Sequence, residues 1–166
     1  FTRGTTRNPY AMYSEAGPDY IYNMQRLLRK FETAKEIVPK PVVRAASKKS
    51  RFGAIYYGST SPAMDEAIDR LEQQGLHVDA LRVRAFPFHD SIIDFVNEHE
   101  HVFLIEQNRD AQLRTLLINE GQIDPAKVTP VHHYDGTPIT ARFIVNEIAQ
   151  RLSAFNVKPI QKGKAA

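Results

Sequence analysis

A glycine followed by three hydroxyl residues precedes a predicted helix and is the first candidate site of the sequence. These residues are Gly58, Ser59, Thr60 and Ser61. Backbone N–H groups at a helix N-terminus bind anions readily, and the hydroxyls add further donors. The same residues also suit helix capping and a tight turn. The stretch contains neither a Gly-x-Gly-x-x-Gly pattern nor the lysine of a phosphate-binding loop, so both interpretations stay open.

A second polar stretch follows the most apolar run of the chain, residues 102–105. It consists of Glu106, Gln107, Asn108, Arg109 and Asp110. A buried strand that ends in five polar residues places them at the edge of a sheet, where they can orient a ligand or bind another domain. They can equally serve the next helix, with Asn108 as its cap and Asp110 near the positive end of its dipole.

The histidines offer a metal site only if they converge in space. His99 and His101 flank a turn, and His132 and His133 are neighbours in the last predicted strand. Successive strand residues face opposite sides of a sheet, so this spacing is a weak metal signal and we predict no metal site. The polar turn at residues 135–138 is predicted to be structural.

No set of nucleophile, base and orienting group is recognisable in the sequence. The chain contains no cysteine, which excludes disulfides, thiolate zinc sites, cysteine-ligated iron–sulfur clusters and a cysteine nucleophile within it. No apolar run approaches the roughly 20 residues of a membrane span, and no signal peptide is recognisable. We therefore expect a soluble, cytoplasmic protein.

Alternating strand and helix patterns must position these residues. From residue 52 onward, apolar runs at 54–57, 77–83, 102–105 and 128–134 alternate with helical spacing. This order predicts an α/β fold with a mostly parallel sheet and helices on both faces. The four helices are predicted to begin at the caps Ser61, Asp90, Asn108 and Thr137. The third of them is predicted to bury Leu113, Leu116 and Leu117.

An amphipathic helix is predicted ahead of this domain. Apolar residues recur at helical spacing from Asp19 to Ile37, with Asp19 as the cap, and Pro39 and Pro41 end the pattern. Residues 40–51 contain five basic residues and no acidic one. They are predicted to be a linker with a short edge strand at residues 42–43.

The basic residues lie mainly in the flanking segments. Residues 1–51 contain eleven basic and four acidic residues, residues 52–155 contain eight and fifteen, and the tail from residue 156 adds three lysines. The net charge of +3 is a sum over these segments, so it does not give the charge of the domain's own surface. Nucleic-acid binding through residues 40–51 is not favoured, because that stretch lacks aromatic residues for base stacking.

Four stretches of the chain resemble the α subunit of 2-oxoacid:ferredoxin oxidoreductases, specifically the 2-oxoglutarate type. The most specific is the Glu-Gln-Asn of residues 106–108 followed by Gln112 and Leu113, and all four agree in order and spacing. The stretches are Gly53-Ala-Ile-Tyr-Tyr-Gly-Ser-Thr-Ser61, Arg82-Val-Arg-Ala-Phe-Pro-Phe88, Val102-Phe-Leu-Ile-Glu-Gln-Asn-Arg-Asp-Ala-Gln-Leu113 and Tyr134-Asp-Gly-Thr-Pro138. The resemblance extends from residue 1 to about residue 155.

The resemblance implies a domain organisation. Residues 1–39 resemble the segment that joins the family's thiamine-diphosphate domain to its last domain, and they include the amphipathic helix. Residues 40–155 are expected to form a transketolase C-terminal-like domain, a three-layer α/β/α sandwich of five strands. Its first strand, residues 42–45, is expected at an antiparallel edge. Residues 156–166 form a basic tail.

The resemblance also implies an activity for the complete complex. Enzymes of this family use thiamine diphosphate and Mg²⁺ to decarboxylate a 2-oxoacid, pass electrons through an iron–sulfur cluster, here [4Fe-4S], to ferredoxin, and transfer the acyl group to coenzyme A. The cluster and the diphosphate site belong to a β subunit, and the substrate loop belongs to α segments preceding Phe1. We expect a hetero-oligomer in which this fragment ligates no cofactor and has no catalytic residue.

One stretch departs from the family pattern. Many relatives carry a Gly-x-Glu-His-like sequence where this chain has Gly4-Thr-Thr-Arg7, so the role of that stretch is not carried over. The loops 58–61 and 106–110 are interpreted as binding or interface residues that brace neighbouring domains. A stand-alone ligand-binding or regulatory domain with an anion site at residues 58–61 is the alternative.

Overall fold

The structure is a computed structural model and describes residues 4–157. The chain forms two compact units, Phe1–Pro39 and Lys40–Ala166. The predicted basic tail lies almost wholly outside the described residues. Of the helices within residues 4–157, none has the length and apolar character that crossing a bilayer requires.

The first unit consists of a short hairpin and a long helix. Strand β1 (Thr6–Arg7) pairs antiparallel with β2 (Tyr13–Ser14), and helix α1 spans Gly17–Ile37. Asn8 holds the hairpin turn, because its Oδ1 accepts two backbone N–H groups of the turn at 3.0 Å each. Asparagine suits this position since its short amide bonds to backbone groups a few residues further on.

Helix α1 confirms the predicted amphipathic helix but begins two residues earlier. It starts at Gly17 with Pro18 in its first turn, where proline is favoured because it has no N–H to lose. The prediction of Asp19 as the cap is wrong. Asp19 lies inside the first turn, and its carboxylate accepts the Ser14 hydroxyl at 2.6 Å.

The apolar residues of α1 are solvent-exposed. The helix ends at Ile37, ahead of Pro39, as predicted, and no residue along its whole length is buried. Its exposed large apolar residues are Tyr20, Ile21, Tyr22, Met24, Leu27, Leu28, Phe31 and Ile37.

The second unit contains a five-stranded, mostly parallel sheet, which confirms the predicted fold class. The strands are β3 (Val42–Arg44), β4 (Phe52–Tyr57), β5 (Asp79–Val83), β6 (His101–Glu106) and β7 (Val128–His132), in the spatial order β3-β5-β4-β6-β7. β3 pairs antiparallel with β5 at one edge, and the other pairs are parallel. The expected antiparallel edge strand is therefore present, one residue shorter than predicted.

Helices cover both faces of this sheet, so the unit is a three-layer α/β/α sandwich. Helices α2 (Ser61–Gln73) and α5 (Ala141–Ala154) pack on one face. Helices α3 (Asp90–Glu98) and α4 (Gln112–Gly121) pack on the other face. Each pair of helices encloses its own apolar core against the sheet.

The central strands are buried on both faces, as the continuous apolar run of residues 102–105 predicts. In β6, Phe103 and Ile105 pack toward α2 and α5, whereas Val102 and Leu104 pack toward α3 and α4. Full burial of each such side chain contributes about 1.5–3 kcal/mol. The strands that carry the two polar loops are therefore firmly held.

Helices α3 and α5 begin at caps other than the predicted ones. Helix α3 is capped by His89, whose Nδ1 accepts the backbone N–H of Ser91 at 3.2 Å, and not by Asp90. Helix α5 is capped by the hydroxyl of Thr140 and not by Thr137. Thr137 is unavailable because residues 135–138 form a separate turn ahead of the helix.

Candidate functional site

The two polar loops lie where the strand order of the sheet reverses. β4 lies between β5 and β6, and α2 leaves β4 over one face while α4 leaves β6 over the other. The divergence of these helices opens a crevice at the carboxyl ends of the two strands, where ligands of α/β proteins commonly bind. Loops 58–61 and 106–110 meet at this position.

The loop after β4 is a 3-10 turn that leads directly into α2. It spans Gly58–Thr60, and Gly58 has a φ of +59°, which favours glycine. Thr60 is buried, whereas Ser59 is exposed. The prediction of Ser61 as the N-cap is wrong, because the chain is already helical before Ser61 and no side chain caps this helix.

The hydroxyl of Ser61 bonds instead to a tyrosine of β4. Its partner is Tyr56, whose pKa is raised, chiefly by burial. A phenol in this environment stays neutral at physiological pH, so it does not act as a catalytic base. The pair packs where the loop leaves β4.

Gln107 joins the two loops. Its Nε2 donates to the hydroxyl oxygens of Ser59 and Thr60, each at 3.1 Å. Asn108 adds a longer bond from its Nδ2 to the hydroxyl of Tyr57 at 3.3 Å. Stretches far apart in sequence thus form one polar surface at the carboxyl edge of the sheet.

Glu106 is fully buried and caps α4. Its carboxylate accepts the backbone N–H groups of Leu113 at 2.8 Å and Arg114 at 3.1 Å. The side-chain amide of Asn108 donates to the same carboxylate at 2.8 Å. These donors offset the several kcal/mol that burial of an unpaired carboxylate costs. Glu106 therefore lies beneath the sheet edge, where neither a ligand nor a neighbouring domain can reach it.

Asn108 shares the capping of α4, so its predicted role is confirmed in part. Its Oδ1 accepts the backbone N–H groups of Asp110 at 3.1 Å and Gln112 at 3.2 Å. The N-cap position itself belongs to Ala111, which has a φ of +50° and no side chain able to cap. Sequence reasoning missed Glu106 as the main cap because the acid belongs to the preceding strand and not to the helix.

Arg109 and Asp110 are the most exposed part of the second loop. The Arg109 Nε donates to Asp110 Oδ1 at 2.7 Å, with the side chains 74% and 56% exposed. An exposed pair of this kind contributes at most about 1 kcal/mol. Either side chain can therefore leave this pair and bind a charged group of a partner protein at little cost in free energy.

An apolar cleft of about 440 Å³ borders the first loop. Sequence reasoning missed it, because the helical pattern predicts Leu116 inside the fold, whereas Leu116 is 36% exposed. The signal in the sequence is the Phe-Pro-Phe turn of residues 86–88 after β5. The cleft is lined chiefly by Tyr57, Arg84, Phe86, Phe88, Leu113 and Leu116.

His99 and His101 have structural partners, whereas the Nε2 of His132 is buried without a hydrogen-bond partner among the described residues. The Nδ1 of His99 lies 2.6 Å from the Phe95 carbonyl oxygen, and its Nε2 lies 2.9 Å from Asp79. His101 bonds to the hydroxyl of Thr129 at 2.8 Å, and burial lowers its pKa. Within residues 4–157, no three His, Asp or Glu side chains are grouped so that they could hold a metal ion.

The turn after β7 is built from its own side chains. Asp135 Oδ1 accepts the backbone N–H of Thr137 at 2.8 Å and its hydroxyl at 2.7 Å, and these bonds lower the pKa of Asp135.

His133 packs on Phe143 of α5, with ring centroids 4.9 Å apart. His132 pairs in register with Glu106 on the neighbouring strand.

One serine–histidine contact has the geometry of a nucleophile and a base. Ser91 Oγ lies 2.9 Å from His89 Nδ1. The same nitrogen accepts the backbone N–H of Ser91, so the imidazole acts as the cap of α3.

The carboxyl edge therefore presents exposed donors and acceptors and no activated acid, base or nucleophile. Ser59, Gln107, Arg109 and Asp110 are exposed there, and Glu106 beneath them already accepts three hydrogen bonds. Such a surface can bind a protein or a polar ligand, and its described residues offer no group for covalent chemistry.

Comparisons with known proteins identify the fold. No protein-family model matches the chain, and no curated protein matches it in sequence. The structure is similar to the 2-oxoglutarate:ferredoxin oxidoreductase of Magnetococcus marinus with 2-oxoglutarate, coenzyme A and succinyl-CoA bound. The TM-score is 0.78 and the identity 22%, over 88% of this chain and 25% of that one.

A split-gene transketolase, in an inactive β4 tetramer, has the same sandwich. Its TM-score is 0.52 and its identity 17%, over 68% of this chain and 41% of that one. The transketolase C-terminal-like fold expected from the resemblance is thereby confirmed. The chain spans about a quarter of the length of the Magnetococcus protein.

Proposed function

We propose that this chain is the C-terminal part of the α subunit of a 2-oxoglutarate:ferredoxin oxidoreductase. The main support for the proposal is the fold match to the Magnetococcus enzyme. The match covers 88% of the chain, which is more residues than the second unit contains. Part of the first unit is therefore matched as well. The proposal gains support from the four sequence stretches, because they follow the strands of that shared fold.

The complete complex would convert a 2-oxoacid, coenzyme A and oxidised ferredoxin into acyl-CoA, CO₂ and reduced ferredoxin. Thiamine diphosphate with Mg²⁺ supplies the carbanion chemistry when bound, and a [4Fe-4S] cluster carries the electrons. We assign the cluster and the diphosphate site to a β subunit. The chain contains no cysteine, the usual ligand of such a cluster, which supports this assignment for the cluster.

The role assigned to this chain is to brace the active site and the subunit interface. The bond from Gln107 to Ser59 and Thr60 fixes two loops relative to each other at the carboxyl edge. The exposed side chains there are small, polar or paired in charge, which suits a wet protein interface. We propose residues 40–155 as the bracing domain and residues 1–39 as the segment that joins it to the thiamine-diphosphate domain.

The activity is tested in the complete enzyme, prepared with its β subunit. We expect reduction of ferredoxin that depends on both 2-oxoglutarate and coenzyme A. Omission of either substrate is the matched control. If the purified complex reduces ferredoxin with no 2-oxoacid at all, the assignment to this class of enzyme is wrong.

The alternative is a ligand-binding or regulatory domain, and the apolar cleft beside Gly58 favours it. Calorimetry of the chain with coenzyme A, nucleotides and thiamine diphosphate distinguishes the two. The bracing role predicts no micromolar binding to the isolated chain. Micromolar binding that is lost on substitution of Ser59 and Thr60 by alanine would support the alternative.

A further inference from the structure

The first unit contains a polar cleft that the proposed function does not use. It lies between the β1–β2 hairpin and α1 and has a volume of about 840 Å³. This volume lies within the roughly 300–1,000 Å³ that is usual for small-molecule sites. Its lining includes two arginines and no acidic residue, and the polar members are Thr5, Thr6, Arg7, Asn8, Tyr13, Tyr22, Asn23 and Arg26.

Asn23 fixes the geometry of this cleft. Its Nδ2 donates to the Thr6 hydroxyl and, at 2.8 Å, to the Arg7 carbonyl oxygen, which ties the hairpin to α1. Its Oδ1 accepts the Nε of Arg26 at 3.2 Å. One amide thus holds the strand that bears Arg7 and orients the guanidinium of Arg26, whose terminal nitrogens bond to no other side chain within residues 4–157.

The nearby carboxylates are engaged elsewhere. Glu15 accepts the hydroxyl of Tyr13, and this bond is the main cause of the raised pKa of Tyr13. Asp19 accepts the hydroxyl of Ser14. Neither Arg7 nor Arg26 forms an ion pair with any residue in the described part of the chain.

Two arginines line this cleft and no acidic residue does, so the cleft is positively charged and suits an external anion. The guanidinium presents its donors as a planar fork that matches carboxylate and phosphate oxygens in a bidentate way. The side-chain amide N–H groups of Asn8 and the hydroxyl of Tyr22, in the same lining, can donate to further oxygens.

We propose that this cleft binds a small dianion whose charged groups are carboxylates or phosphates, with Arg7 and Arg26 as its principal ligands. Asn23 is the positioning residue. The site lies wholly within the first unit, and its lining includes no residue of loops 58–61 or 106–110. The proposal does not depend on the proposed oxidoreductase function, because binding to the chain is measured without any activity.

The test is titration of the 166-residue chain with inorganic pyrophosphate and, separately, with succinate. Binding is followed by the amide NMR signals of residues 5–26. We expect saturable shifts at millimolar concentration, centred on Arg7, Asn23 and Arg26. A preference between the two probes distinguishes a phosphate ligand from a carboxylate one.

The variants Arg7→Gln and Arg26→Gln should each weaken binding by about tenfold, the loss expected for one charge-assisted pair. Arg29→Gln is the matched control, since it removes the same charge from an exposed position of α1 outside this cleft. Its affinity should equal that of the unchanged chain. Absence of saturable shifts with both probes, or an equal loss in all three variants, would overturn the proposal.

Discussion

The carboxylate of Glu106, at the end of β6, accepts the backbone N–H of Leu113, in the first turn of α4, at 2.8 Å. A strand thus supplies the cap of the helix that follows it, across a loop of five residues. Glu106 has the position at the carboxyl edge that best suits a catalytic acid, but its carboxylate is engaged by backbone N–H groups of the same chain. Loop 107–111 consequently has a fixed anchor at both ends.

Replacement of Glu106 by alanine should destabilise the chain by about 2–4 kcal/mol, because buried backbone donors lose their acceptor. The free energy of unfolding from urea denaturation is the measurement. Glu120→Ala, at an exposed position near the other end of α4, is the control and should change stability by less than about 0.5 kcal/mol. A Glu106→Ala chain as stable as this control would disprove the capping role.

Replacement of Gly53 by alanine should cost about 1–3 kcal/mol through overpacking in the core. A Cβ at this position of β4 would lie 2.6 Å from the Phe95 ring of α3 and 3.3 Å from Val102. Gly17→Ala is the control, because a Cβ there meets no atom within 4 Å. Thermal unfolding checks both variants. The second substitution Phe95→Leu should restore part of the loss in Gly53→Ala, and failure to do so would point to a cause other than this contact.

Stability should fall as the pH is lowered below about 6.5, the ordinary pKa of histidine, because of His101. Burial lowers the pKa of His101 in the folded chain, so the unfolded chain binds a proton first on acidification. The contribution is complete above the unfolded pKa and is lost as the pH falls toward the folded one. Urea denaturation across this range should show a flatter pH dependence for His101→Gln. An unchanged slope would contradict the assignment.

Replacement of Gln107 by alanine should free the two loops from each other at small cost to overall stability. Its bonds to Ser59 and Thr60 are neutral and partly exposed, so we expect a loss of about 0.5–1.5 kcal/mol. Amide hydrogen exchange should accelerate at residues 58–61. Gln112→Ala, whose side chain is exposed, is the control. Equal exchange in both variants would show that Gln107 does not join the loops.

The layers of the sandwich follow from sequence because they depend on residues close in the chain. Four apolar residues in succession at 102–105 predict a strand covered on both faces, and helical spacing predicts the elements between strands. The Gly58 turn and the proline in the first turn of α2 are also local signals. These signals suffice for the order of elements and for the edge strand.

The caps and the site are not predictable in the same way, because their partners lie elsewhere in the chain. Glu106 caps a helix that begins six residues later, and Thr140 replaces Thr137 because Asp135 closes its own turn first. The bond between Gln107 and Ser59 exists only once β4 and β6 are neighbours. Local propensity contains no information on such pairs.

If the carboxyl edge braces a subunit interface, as we propose, Arg109→Glu in the complete enzyme should weaken that interface. The Arg109 side chain is 74% exposed on the second loop, and Arg142→Glu on α5 is a control with the same charge change. The measurement is turnover of 2-oxoglutarate per assembled complex, with the assembled fraction determined by size-exclusion chromatography. We predict a lower assembled fraction for Arg109→Glu and unchanged turnover of the complexes that form. Full assembly with collapsed turnover would contradict the bracing role and place the loop in the catalytic centre.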